Sequence, residues 1–164
     1  MFVCASFAQQ MRIGVLRDYN IKRITFSYNS GSYSIFGDTS DFGSILPNEF
    51  IEVSIENGKV KLKKGTIELG DFQKIYLIQN NPNTSLVLTS KVPVVKQRKY
   101  EDDFEISSDG KELTLVNLVD IDNYLAGVVE SEGGGGRHIE YYKVQALMSR
   151  TYAMKYRGKH KKDG

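Results

Sequence analysis

One change of rhythm governs what this chain can fold into. From residue 11 to about residue 117 apolar side chains recur at every second position; from about residue 120 they recur at every third or fourth. The first spacing belongs to strands with one buried face, the second to helices with a buried stripe. Ile13 and Val15 alternate with Arg12 and Gly14, and Ile24, Phe26 and Tyr28 with Arg23, Thr25 and Ser27. Asn29-Ser30-Gly31 interrupts the run before Tyr33 and Ile35 resume it, as in a hairpin. Ile51, Val53 and Ile55 lead to Asn57-Gly58, a strong two-residue turn signal, and Val60 and Leu62 answer beyond it. Residues 74–79, 85–88 and 112–116 read as further strands, and Asp109-Gly110 joins Phe104-Glu105-Ile106 to Leu113-Thr114-Leu115. Strands spaced roughly ten residues apart by such turns predict a mostly antiparallel sheet or partial barrel.

Ile121, Tyr124, Leu125, Val128 and Val129 then fall at helical spacing behind Asp120, a favourable N-cap residue. Gly133-Gly134-Gly135-Gly136 ends this helix, because four glycines lose too much backbone entropy to continue it. A second helix is predicted from residues 137–139 towards Tyr156, with Gly158 as its stop. Its apolar stripe is Val144, Leu147, Met148 and Thr151. A second face, Ala146, Ser149 and Ala153, is small enough for a neighbouring helix to approach. Gly127 is the expected matching contact; without one it costs about 1 kcal/mol for nothing. The expected fold class is α+β, a β-rich antiparallel region over residues 10–117 followed by a two-helix hairpin within residues 118–164.

A chain of 164 residues suits one domain. Its 22 basic and 20 acidic residues leave a net charge of +2, too near balance to argue for nucleic acid or another polyanion as partner. The charges are uneven, with Lys155, Arg157, Lys159, His160, Lys161 and Lys162 in a basic tail and Glu101, Asp102, Asp103 and Glu105 in an acidic block. Both read as solvated surface. Cys4 is the single cysteine, so there is no internal disulfide and no multi-thiolate metal site. Residues 1–8 read as the end of a secretory signal peptide, with Ser6-Phe7-Ala8 as its cleavage site; a plain apolar first strand is the alternative. Nothing later approaches the ~20 apolar residues of a transmembrane helix, so no integral membrane protein is expected.

Glu132 is the candidate for chemistry. The line Ile121, Tyr124, Val128 extends by four to Glu132, which places its carboxyl on the side expected to be buried. It also lies in the last helical turn, where the dipole disfavours negative charge. Both influences favour the protonated form that a general acid requires. The alternative is a helix frayed at the glycines with Glu132 simply solvated. His138 reads as a surface histidine at a helix N-terminus, and His160 lies in the basic tail.

The run Asp122-Asn123-Tyr124-Leu125-Ala126-Gly127-Val128-Val129-Glu130-Ser131-Glu132 is followed by Lys143-Val144-Gln145-Ala146 and by Ser149-Arg150-Thr151-Tyr152-Ala153. In that order, these motifs resemble the SpoIID/LytB family over about residues 118–155. The resemblance implies an exported cell-envelope lytic transglycosylase that cleaves the bond between N-acetylmuramic acid and N-acetylglucosamine in denuded peptidoglycan glycan. It also covers enhancers of a cell-wall amidase. Glu132 takes the catalytic acid position, while Arg150, Tyr152 and Gln145 take candidate substrate-binding positions; helix packing and a salt bridge are the alternative role for Arg150 and Tyr152. No cofactor is implied for these residues, and no metal site is evident. Where the family commonly has Met-Pro after the acid, this chain has Gly133 to Gly136. The family domain extends past the Arg-Thr-Tyr-Ala helix, so the resemblance implies an incomplete domain and a fragment without its second groove wall.

Overall fold

The computed structural model describes residues 10–156. Residues 1–8, Gly158 and the tail from Arg157 onward lie outside the described residues. The described chain divides into two compact units, residues 13–118 and residues 119–156 with 10–12.

Twelve strands precede two helices. In order they are β1 (Gln10–Val15), β2 (Arg23–Ser30), β3 (Tyr33–Gly37), β4 (Ser40–Ile45), β5 (Phe50–Glu56), β6 (Lys59–Lys64), β7 (Ile67–Phe72), β8 (Lys74–Gln79), β9 (Ser85–Val92), β10 (Val94–Glu101), β11 (Asp103–Ser108) and β12 (Leu113–Asp120). The helices are α1 (Ile121–Gly133) and α2 (Ile139–Lys155). The strands form two six-stranded sheets, ordered β1-β12-β11-β8-β3-β4 and β10-β9-β2-β5-β6-β7. Neighbours pair antiparallel, as in β2 with β5 and β9, and β11 with β8 and β12. The expected antiparallel β-rich region is therefore present, and it resolves into two sheets rather than one.

The alternation explains the packing. Ile24 and Phe26 on β2, Ile51 and Val53 on β5, and Val60 and Leu62 on β6 turn inward from one sheet. Tyr33 and Ile35 on β3, Ile75 and Leu77 on β8, and Phe104 and Ile106 on β11 turn inward from the other. All are buried in one shared core, and the Phe26 and Phe104 rings meet edge to face with centroids 5.1 Å apart. The Asn57-Gly58 turn has positive φ at both residues, 51° and 76°, the geometry that matches the twist of the strands it joins.

Three strands carry no clean sequence signal. β4 and β7 contain Gly43 and Gly70, and β10, Val94–Glu101, is a mostly exposed edge strand rich in Lys, Arg and Gln. Each is held by its neighbour's ladder rather than by a row of its own apolar side chains.

The acidic block corrects the expectation of a solvated surface. Asp102 and Glu105 are buried. Asp102 takes a left-handed backbone, φ 63°, between β10 and β11. Asn117 Nδ2 donates to the carbonyls of Glu101 and Asp103, 2.9 Å each, and Tyr33 Oη donates to Asp102 O at 3.1 Å. Gln79 Nε2 reaches Asp102 Oδ1 at 3.1 Å, and Lys74 Nζ lies 2.9 Å from Glu105 Oε1. Burial, with Asp102 adding to it, holds the Tyr33 phenol protonated well above its ordinary range.

Candidate functional site

The site is built on the helical hairpin. Asp120 caps α1 as expected, its carboxylate accepting from Asp122 N at 2.8 Å. The helix ends at Gly133, and Gly134 leaves it with φ 61°. His138 caps α2, its Nδ1 accepting from Glu140 N at 3.3 Å. This is a specific use for a histidine that the sequence places only at a helix terminus.

Burial is uneven along α1, and its last residue, Gly133, is buried. Ile121 and Leu125 are buried, Val128 and Val129 half-buried, and Glu132 exposed. The expectation of a buried Glu132 is therefore not met. The carboxyl shares the angular position of the apolar line but is exposed there. At the end of α1 the carboxyl meets a specific partner: Gln145 Nε2, from α2, donates to Glu132 Oε2 at 2.6 Å.

The two faces of α2 are used in the opposite sense to the apolar stripe. Val144, Leu147 and Met148 are 56%, 67% and 63% exposed. The half-buried or buried positions are Tyr142, Gln145, Ala146, Ser149 and Ala153, the small-residue face together with two polar side chains. Gly127 is not the matching close contact, because a Cβ there would meet nothing within 4 Å. Gly133 takes that role: its Cβ would sit 3.1 Å from the Tyr142 ring.

The four candidate residues separate along the hairpin. Gln145 is brought to Glu132. Arg150 is not; its Nη1 lies 3.5 Å from Asp122 Oδ1, in the first turn of α1, about 15 Å up the helix from Glu132 at 1.5 Å per residue. Both partners are exposed, so this pair contributes little to stability, about 0–1 kcal/mol. Tyr152 is 62% exposed and packs on Tyr156 with centroids 4.4 Å apart. These two rings, with Leu147, Met148, Thr151 and Lys155, line an open crevice of about 440 Å³. Lys143 pairs with Glu140 at 2.8 Å on the outer surface of α2.

Tyr142 is the residue the sequence reasoning missed. Its Oη donates to Gly134 O at 2.8 Å and accepts from Arg137 N at 3.1 Å, spanning the glycine run. The available signal was a tyrosine pair, Tyr141-Tyr142, one turn behind four glycines. Among the described residues no cluster of His, Cys, Asp and Glu is arranged to hold a metal ion.

Residues 109–164, the C-terminal third of the chain, match the family model described as stage II sporulation protein, SpoIID. Over these residues the chain is similar to the SpoIID family. SpoIID is a sporulation-related cell-wall family, and both helices and the Glu132–Gln145 contact lie inside the matched residues. No curated protein and no solved structure matches the chain significantly. No helix among the described residues is long and apolar enough to cross a membrane, which leaves strands out of account.

Proposed function

We propose that the SpoIID segment acts outside the cytoplasm as a lytic transglycosylase on denuded peptidoglycan glycan, with Glu132 as its acid. The observation that carries this reading is the 2.6 Å contact from Gln145 Nε2 to Glu132 Oε2 at the end of α1. The amide orients the carboxyl through Oε2, and in the proposed step the acid delivers its proton from Oε1. That proton passes to the glycosidic oxygen between N-acetylmuramic acid and N-acetylglucosamine. The bond from the muramyl anomeric carbon to that oxygen breaks. The muramyl C6 hydroxyl then attacks the anomeric carbon while Glu132, now ionised, takes its proton. The products are a 1,6-anhydro-muramyl end and a free N-acetylglucosamine hydroxyl, with no water consumed. One carboxyl serves as acid and then base, where two-carboxyl glycosidases divide those roles. Export through a signal peptide of which residues 1–8 are the end would place the protein with its substrate.

One observation favours a second reading. Glu132 is exposed, as a residue of a non-catalytic glycan-binding enhancer of a wall amidase would be. The test incubates the protein, as its cell makes it, with denuded glycan strands and resolves the products by mass. Anhydro-muramyl ends support the transglycosylase. Reducing ends made by water addition, or binding without cleavage accompanied by faster amidase action, overturn it.

A further inference from the structure

Four consecutive glycines directly after a working carboxyl pose a physical problem. Glycine loses more backbone freedom on ordering than any other residue, so a helix that runs into Gly133-Gly134-Gly135-Gly136 tends to fray at the turn bearing Glu132. Something must hold that turn if Glu132 is to keep one orientation.

The contacts of one α2 side chain answer this. The Tyr142 hydroxyl donates to Gly134 O at 2.8 Å and accepts from Arg137 N at 3.1 Å, so a single oxygen bridges the start and the far side of the glycine run. Its ring lies on Gly133 so closely that a methyl there would stand 3.1 Å from Cε1 and 3.3 Å from Cδ1. Gly133 is buried under it. The Tyr141 ring meets Tyr142 at 5.7 Å, and the Arg137 guanidinium lies 5.9 Å over Tyr141, so the clasp is backed on its outer side. One turn further along the same face of α2, Gln145 reaches Glu132. The ring, the hydroxyl and the amide therefore act from one helix surface on three consecutive residues, 132–134, and on the Arg137 amide beyond the glycines.

We infer that Tyr142 is a positioning residue: its hydroxyl clasps the glycine loop and fixes the exit of α1, so that Glu132 is held against Gln145. The inference rests on the reading of Glu132 as the acid, and it assigns the work of orienting that acid to a residue that touches neither the carboxyl nor the sugar. It also gives the glycine run a reason. Gly133 admits the ring, and Gly134 adopts the left-handed φ of 61° that turns its carbonyl to the hydroxyl.

The test uses the full chain, isotope-labelled, as wild type and as Tyr142→Phe, which keeps the ring on Gly133 and removes only the oxygen. The expected result is exchange of the Arg137 amide about tenfold faster, a shift of the Gln145 side-chain amide resonances towards those of a free amide, and an unchanged melting temperature. On denuded glycan, kcat is expected to fall about tenfold with KM unchanged, because misplacing a reacting group affects the transition state more than binding. Gly133→Ala, which displaces the ring, should reproduce the Gln145 shift. Unchanged Arg137 exchange and Gln145 resonances in Tyr142→Phe would overturn the clasp whatever the activity. A wild-type protein that never makes anhydro ends would instead sink the transglycosylase, while the two resonance measurements still decide the clasp.

Discussion

Asp103 shows how a charged residue in a polar run acquires a structural role. Its carboxylate accepts from Gln79 N at 2.8 Å, yet its ionisation is held above the ordinary aspartate value of 3.8. Burial is the main cause. The Gln79 amide pulls the other way, and the neighbouring Asp102 charge adds to burial. The folded state thus favours the protonated acid. Its stabilising contribution is full below the unfolded value and is lost as pH rises through the folded one. Asp103→Asn keeps an oxygen for Gln79 and removes the charge. The urea midpoint of the variant should therefore fall less than that of the wild type between pH 3.8 and neutrality; identical pH profiles would show that Asp103 plays no such part. Composition gave no sign of this. Four acidic residues in five positions read as surface, and only the structure shows the partners of the two that are buried, Gln79 for Asp102 and Lys74 for Glu105.

At the scale of the element, the hairpin was legible in outline and in the small-residue face of α2, but not in the contact that meets that face. The Asp120 cap and the glycine stop follow from backbone chemistry and hold in the structure. Of the two faces legible on α2, the hairpin buries the small-residue one, Ala146, Ser149 and Ala153, while Val144, Leu147 and Met148 remain exposed. Gly127 does not supply the contact expected for that face. It sits in an exposed helix interior with nothing within 4 Å of its missing Cβ. Gly127→Ala is accordingly expected to stabilise the chain by about 0.5–1 kcal/mol, measured by urea unfolding. Destabilisation would restore the close contact expected from sequence. Among the strands, β4, β7 and β10 escaped notice because their apolar alternation is broken by glycine or replaced by edge-strand charge.

For the whole molecule, the two periodicities divide the chain much as the structure does. One belongs to a two-sheet core joined by Phe26 and Phe104, the other to a helical pair bearing the site. Periodicity sees which face of a strand turns inward, but not how twelve strands sort into two sheets. That order depends on long-range pairing such as β2 with β9 and β3 with β8. The candidate site rests on motifs that are local and ordered along the chain. Its depth was not, since the burial of Glu132 depends on what covers the end of α1. In the proposed reaction one carboxyl delivers the proton, and α1 contains a control for it. Glu130 lies two residues before Glu132 and about 200° around the helix. The decisive measurement is the rate of anhydro-muramyl end formation from denuded glycan by the wild type, Glu132→Gln and Glu130→Gln, each shown to be folded. Glu132→Gln is expected to lower that rate by about 10²–10⁴-fold, the usual contribution of a positioned acid, and Glu130→Gln to leave it unchanged. Undiminished anhydro ends from Glu132→Gln would contradict the account.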